Sequence, residues 1–382
     1  MRGRTRVVAA AAVVLLAALA TVAGVRLLGD GAGGGADGRG DDRATGDRST
    51  DLADADSRQA AEEFFATYVE ADGRVVRTDQ GGDTVSEGQA YGMLIAAATG
   101  DRDGFDRVWQ WTQDELLRDD GLLSWRWDQG AVVDESSATD ADLDAARALV
   151  VAAEVFDDPD LRDQGVALGD AILDHATART PDGLVLVAGQ WATTSPYAFN
   201  PSYVSPAATA VLAEASGDAR WTELDAGSRA AIDQLVADGL LPADWAQVAE
   251  DGGSYPVEGP NGEPVQFGYD GARTLLRHAE SCAPDDRELA ADLVVLLGAG
   301  EAVATYDIGG GPTTEDGSPL MSVAQAAGLA AGEDADGART AIDRALAEAD
   351  TNPTYYGDAW AVLGPLMLTD DALGGCPPLE AA

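Results

Sequence analysis

Of the 67 acidic residues in this chain, Glu87, Asp140 and Asp270 stand in surroundings that could give a carboxyl group chemistry to do. Glu87 lies in Gln80-Gly81-Gly82-Asp83-Thr84-Val85-Ser86-Glu87-Gly88-Gln89-Ala90-Tyr91-Gly92-Met93, between a Gly-rich approach and an apolar helix continuing through Leu94-Ile95-Ala96-Ala97-Ala98. Its helix-side neighbours are glycine, alanine, aromatic and amide residues. That is how a half-buried carboxyl with a raised pKa is housed, because burial disfavours the charged form. The same stretch also reads as a Ser86 N-cap followed by a first-turn acid favoured by the helix dipole. Asp270, in Gly268-Tyr269-Asp270-Gly271-Ala272-Arg273, reads on its own as the N-cap of the helix it opens. Asp140 begins Asp140-Ala141-Asp142-Leu143-Asp144, again an N-cap with Asp142 and Asp144 as solvated first-turn acids. A calcium loop with that spacing fails, since Ala145 stands where glycine is needed and Val151 where glutamate is needed.

The elements that must position these groups are helical. From Arg58 onward Ala60, Ala61, Phe64, Phe65, Tyr68 and Val69 recur at steps of three and four. Further helices are expected at 86–99, 104–118, 138–156, 160–176, 204–216, 221–237, 270–280, 286–302, 321–332, 336–350 and 356–369. Breakers such as Gly100-Asp101, Asp119-Asp120-Gly121, Asp157-Asp158-Pro159 and Gly309-Gly310-Gly311-Pro312 separate many of them. Strand-like alternation is scarce, so the chain is all-α. About a dozen helices with no fixed-period repeat suggest helix pairs in a closed ring rather than a solenoid. Long loops between them carry Trp125, Arg126 and Trp127, then Trp191, Tyr197 and Tyr203, then the Gly/Pro-rich run from Asp251 to Asp270. Loops of this kind, at one end of a helical array, are where a cleft is built.

The formal charge of −43 and pI near 4.1 exclude nucleic acid as a partner, because phosphates demand a basic face. All 24 basic residues are arginine. Arg2, Arg4 and Arg6 precede an uncharged run over residues 7–25, which reads either as a cleaved signal peptide or as a retained membrane anchor. Both readings place the rest of the chain outside the cytoplasmic membrane. Residues 1–28 form that segment, and residues 29–57, poor in large apolar side chains, read as a solvated tether. In an exported chain Cys282 and Cys376 are expected to form a disulfide. A metal site would want further ligands, and the only histidines are His175 and His278.

The motif around Glu87, followed by Phe105-Asp106-Arg107-Val108-Trp109-Gln110-Trp111-Thr112 and Leu122-Leu123-Ser124-Trp125-Arg126-Trp127, resembles glycoside hydrolase family 8. The likeness continues through Val133 to Asp144, Asn200-Pro201-Ser202-Tyr203, Phe267 to Arg273, and Tyr355-Tyr356, spanning about residues 58–370. It implies an (α/α)6 barrel forming a single catalytic domain over residues 58–378. It also implies Glu87 as general acid, Asp270 as the general base of the largest subgroup, and Asp140 as the residue that holds and distorts the sugar. Arg273 would sit beside the base and keep it ionised, driving the two acids apart in pKa. Tyr269 and Tyr356 would complete the site. Trp125, Trp127, Trp191, Tyr197 and Tyr203 could stack on pyranose rings, Trp125 and Trp191 foremost, while Trp109 and Trp111 belong mainly to the core. The chain departs from the family pattern at Thr274-Leu275-Leu276, where an aliphatic-Pro pair is usual, at Gly271, where alanine is usual, and in a looser stretch from Pro181 to Trp191.

The resemblance implies a monomeric, cofactor-free and metal-free endo-acting glycosidase that cleaves a β-1,4-glucan polysaccharide with inversion. Chitosanase, lichenase or xylanase activity is the alternative within the family. A catalytically weak glucan-binding scaffold in cellulose export is the alternative outside it.

Overall fold

Helix-forming runs and their breakers reappear as twelve α-helices in the computed structural model, which describes residues 49–379. The chain order is α1 (Ser49–Tyr68), α2 (Ser86–Thr99), α3 (Arg102–Glu115), α4 (Thr139–Val155), α5 (Pro159–His175) and α6 (Pro206–Ser216). It continues with α7 (Arg220–Val236), α8 (Ala272–Ala279), α9 (Pro284–Leu296), α10 (Pro319–Ala331), α11 (Ala335–Thr351) and α12 (Tyr355–Thr369). Gly100 ends α2 in the left-handed conformation, and Pro159 occupies the first turn of α5 behind an Asp158 cap. The positive start and the apolar run lie outside the described residues. Helix α1 begins at Ser49, so residues 49–57 are helical rather than tether.

Odd and even helices differ in burial, and that difference gives the architecture. Helices α2, α4, α8, α10 and α12 are buried along nearly their whole length, and α6 over its first half. Helices α3, α5, α7 and α11 bury one stripe and expose the other, as outer helices do. The inner helices pack in the order α2, α4, α6, α8, α10, α12, and α12 returns to α2, closing an (α/α)6 barrel. Trp109 and Trp111 of α3 are buried, as core residues.

Eight short strands in the loops escaped the sequence reading, because runs of two to four residues carry no legible alternation. Strands β1 (Thr84–Val85), β2 (Arg126–Asp128) and β3 (Ala131–Asp134) form one antiparallel sheet, β4 (Thr177–Thr180) and β5 (Gly183–Leu186) a hairpin. Strands β6 (Tyr197–Phe199), β7 (Ala246–Val248) and β8 (Ser254–Pro256) form a third antiparallel sheet.

Three ion pairs join α4 to α8, which are separated in the ring by α6. Arg273 bonds Asp140, Arg277 bonds Asp144 and Arg147 bonds Glu280, each pair 133 residues apart in sequence. The acids at Asp142 and Asp144, expected to be solvated, are buried; Asp142 accepts the Leu123 N–H at 2.8 Å. Beyond the third rung, Cys282 and Cys376 are bonded at 2.03 Å, and the tail is further held by the Cys376 N–H on the Glu280 carbonyl.

Candidate active site

Glu87 is placed by a short strand running straight into a helix. Val85 pairs with Arg126, the Ser86 N–H donates to the Trp125 carbonyl, and the backbone turns helical at Ser86. This brings the Trp125 indole Nε1 to 3.2 Å from Glu87 Oε1. Ser86 makes no side-chain cap; its hydroxyl lies 3.3 Å from Glu87 Oε2. Burial, and then the negative charge of Asp140, push the Glu87 carboxyl up to about 7, against the opposing pull of Arg77 and Arg273.

Asp270 and Asp140 share one guanidinium. Arg273, the second residue of α8, donates through Nη2 to Asp270 at 2.8 Å and through Nη1 to Asp140 at 2.6 Å, with Nη1 also 3.3 Å from the Tyr91 hydroxyl. Neither acid caps its helix: α8 has Gly271 at the cap and α4 has Ala138. Arg273 sits beside Asp270 as expected, but it does not keep that carboxyl in the ordinary range. Arg273 does favour the ionised form, but burial outweighs it and nearby Asp244 adds to burial, so Asp270 rises to about 6.

The aromatic residues divide. Tyr356 lines the cleft and donates its hydroxyl to the Tyr269 carbonyl at 2.9 Å, and Tyr269 stands 46% exposed at the rim. Trp191, 39% exposed, borders a notch shared with Glu87 and Trp125. Trp125 itself is 5% exposed and serves as a hydrogen-bond donor to the acid, leaving little face for a sugar. Tyr203 lines the cleft, but the Arg273 guanidinium lies over its ring at 5.5 Å. Trp127 falls outside the cleft lining: Arg74 covers its face at 5.0 Å, Trp111 meets it edge-on, and its Nε1 donates to Glu115. The cause lies in these partners: Arg74, Trp111 and Glu115 take up the face, edge and indole N–H that a sugar would need.

Sequence reasoning missed Arg77, Asp244, Trp245 and Tyr355, all of which line the cleft. Arg77 is fixed by two bonds to Asp83, at 2.8 and 2.6 Å. Asp244 accepts the N–H groups of Gly268 and Gly271 at 2.8 and 2.7 Å and so shapes the turn that presents Asp270. The departure at Gly271 now has a cause. A Cβ there would lie 2.8 Å from both the Pro242 carbonyl oxygen and the Phe267 ring, so alanine does not fit without a shift. Tyr355 packs against Gly88, where a Cβ would come 2.5 Å from its hydroxyl oxygen. A loop acid flanked by Pro242 and Trp245 was the available signal for Asp244.

Residues 50–369 match the family described as glycosyl hydrolases family 8. A "Probable endoglucanase" of Novacetimonas hansenii is 31% identical over 314 residues, covering 78% of this chain and 87% of that protein. The endo-β-1,4-glucanase CMCax of Acetobacter xylinum superposes with a TM-score of 0.68 at 27% identity, over 82% of this chain and 98% of that one. A β-1,3-1,4-glucanase of Paenibacillus sp. X4, at a TM-score of 0.72 and 20% identity over 85% and 93% of the two chains, shares the fold. Sequence match and helical ring thus agree over the same span, and the chain belongs to glycoside hydrolase family 8.

Proposed function

We propose that this enzyme is an endo-acting β-1,4-glucanase that hydrolyses cellulose-type chains with net inversion, Glu87 as general acid and Asp270 as general base. The observation that carries the reading is the meeting of Glu87, Asp140 and Asp270 in one cleft, with Glu87 buried enough to hold its proton near neutral pH. In the reaction Glu87 gives its proton to the glycosidic oxygen as the bond to the anomeric carbon breaks. Asp270 takes a proton from the water that attacks that carbon from the opposite face. In this reading Arg273, bonded to both acids, orients Asp270, and Asp140 holds the sugar at the cleavage point. Relatives named as endoglucanases support the substrate class. Reducing-end release from carboxymethylcellulose, lichenan, xylan and chitosan, assayed side by side, tests it. Release that is fastest from xylan or chitosan overturns the glucan assignment, and binding without release from any of them returns the scaffold reading.

Two further results follow from the same assignment. A water placed by Asp270 makes the α-anomer the first product of a β-linkage, which proton NMR reads before mutarotation; a β-anomer would make Asp270 a nucleophile. The pH profile of kcat/KM should be a narrow bell. Asp270 must lose its proton, which happens above about 6, and Glu87 must keep its own, which fails above about 7. A broad plateau from pH 5 to 8, against a maximum between about 6 and 7, would refute these roles.

We also propose that the enzyme works outside the cytoplasmic membrane, on the support of Arg2, Arg4, Arg6 and the apolar residues 7–25. Fractionation of cells producing the full chain tests the location, and activity confined to the cytosol overturns it.

A further inference from the structure

The lower two rungs between α4 and α8 are built differently. In the third, Arg147 donates Nη1 and Nη2 to the two Glu280 oxygens at 2.9 and 2.7 Å and Nε to the Leu373 carbonyl at 2.8 Å, so the guanidinium is used on every side. In the second, Arg277 reaches Asp144 Oδ2 through Nη2 alone. Arg277 Nε and Nη1 and Asp144 Oδ1, all buried, have no hydrogen-bond partner among the described residues. A buried pair stabilises a fold only when its remaining donors and acceptors are satisfied, so the second rung is poor as a structural device.

Its polarity is favourable toward the third rung, where Glu280 supports the charge on Arg277, and unfavourable toward the first. The third rung is reversed, with its base on α4 and its acid on α8, so opposite charges lie next to each other between rungs two and three. Rungs one and two have the same polarity. Asp144 lies one turn below Asp140, and Arg277 one turn below Arg273, stacking like on like. Asp144 accordingly opposes the charge on Asp140, and Arg273 opposes the charge on Arg277. The strained stacking is thus confined to the end of the ladder that touches the catalytic carboxylates.

We propose that Asp144 and Arg277 are a positioning pair for the reaction: from one turn below, they hold the Arg273 guanidinium up between Asp140 and Asp270. The proposal rests on the functional reading above. The groups that face this assembly are Glu87 and Tyr91 from α2, Asp144 from α4, Tyr203 from the loop before α6, Asp270, Arg277 and Glu280 around α8, and Tyr356 from α12, whose Trp360 ring lies 5.6 Å from the Arg277 guanidinium. Asp244 acts on Asp270 from the loop before β7.

The double variant Asp144→Leu/Arg277→Met removes the pair while keeping apolar bulk. For a purely structural pair such a replacement is neutral or stabilising and leaves catalysis alone. We expect the melting temperature to hold or rise, kcat on carboxymethylcellulose to fall at least about tenfold, and KM to stay within about twofold. A crystal structure of the variant should find Arg273 parted from Asp140 or Asp270. The matching change in the third rung, Arg147→Met/Glu280→Leu, should leave kcat unchanged. Arg273 still bonded to both carboxylates, with kcat within about twofold of wild type, overturns the proposal. Should the double variant not fold, the single substitutions decide. Arg277→Lys keeps a charge beneath Arg273 and should retain most of the kcat that Arg277→Met loses. Asp144→Asn leaves Arg277 uncompensated, which favours ionised carboxylates above it, so the acid limb of kcat/KM should move to lower pH by about half a unit or more. Equal losses in the two Arg277 variants, or an unmoved acid limb, overturn it. Wild type inactive on every β-glucan would instead remove the functional reading, and the position of Arg273 in the variant would still judge the ladder.

Discussion

Glu87→Gln keeps the fold, loses about 100- to 10,000-fold in kcat, and melts at a higher temperature than wild type above pH 7. Both effects come from the proton on Glu87. Glutamine preserves the acceptor for the Trp125 indole and the contact with Ser86, so nothing in the packing is lost, but it has no proton to give the leaving oxygen. Burial holds the carboxyl at about 7 against an ordinary 4.5, so the folded protein binds more protons than the unfolded chain between these values. Stability is therefore greatest below about 4.5 and is lost as pH rises through about 7. The amide carries no such dependence, and its advantage should be absent in acid and reach on the order of 1–3 kcal/mol above pH 7. Asp270→Asn should behave alike, with the window running from the ordinary 3.8 to about 6. Turnover above about a tenth of wild type in either variant would sink the assignment. Equal melting curves at pH 4 and pH 8 would refute the burial account.

Cys282→Ser/Cys376→Ser should lose about 4–5 kcal/mol in the chain-entropy model, although measured losses are often smaller. The bond closes a segment of 94 residues and pins a tail that reaches back into the barrel. In that tail the Leu373 carbonyl accepts Arg147 and the Cys376 N–H caps the Glu280 carbonyl. Freeing it removes a partner from the fully buried Arg147–Glu280 pair as well as the loop constraint. Urea unfolding of the double variant, and of wild type under reductant, should report a lower midpoint. An unchanged midpoint, or two free thiols found by alkylation of the unreduced, denatured protein, would overturn this.

The helices were legible because each announces itself locally. Apolar residues recur at helical steps, and Gly100, Pro159 and their like mark the ends. Glu87, Asp270 and Arg273 were legible by motif, and the cleft brings them together with Asp140. What stayed hidden depends on contacts between distant segments. Asp244 acts by receiving the backbone of Gly268 and Gly271, and its neighbours Pro242 and Trp245 mark a loop acid without naming those distant partners. The balance at Asp270 was hidden for a similar reason: the sequence names its arginine but not the burial that outweighs it. Trp127 was hidden likewise, because Arg74, Trp111 and Glu115, which occupy it, come from other segments.

Closure of the ring by α12 against α2 sets the order in which the protein can become itself. The acid on α2 is made early, and the tyrosines that flank it from α12 are made almost last. The hydrogen bonds tying the ends together span 290 residues from Tyr68 to Asp358 and 276 from Asp79 to Tyr355. A nascent chain halted before Tyr355 holds five inner helices with one apolar seam open to solvent. It has neither a finished cleft nor a sealed core. Such long-range closure slows folding and exposes intermediates to aggregation. Activity should therefore arrive all at once, after the last helix docks, and no shorter N-terminal fragment should work in part.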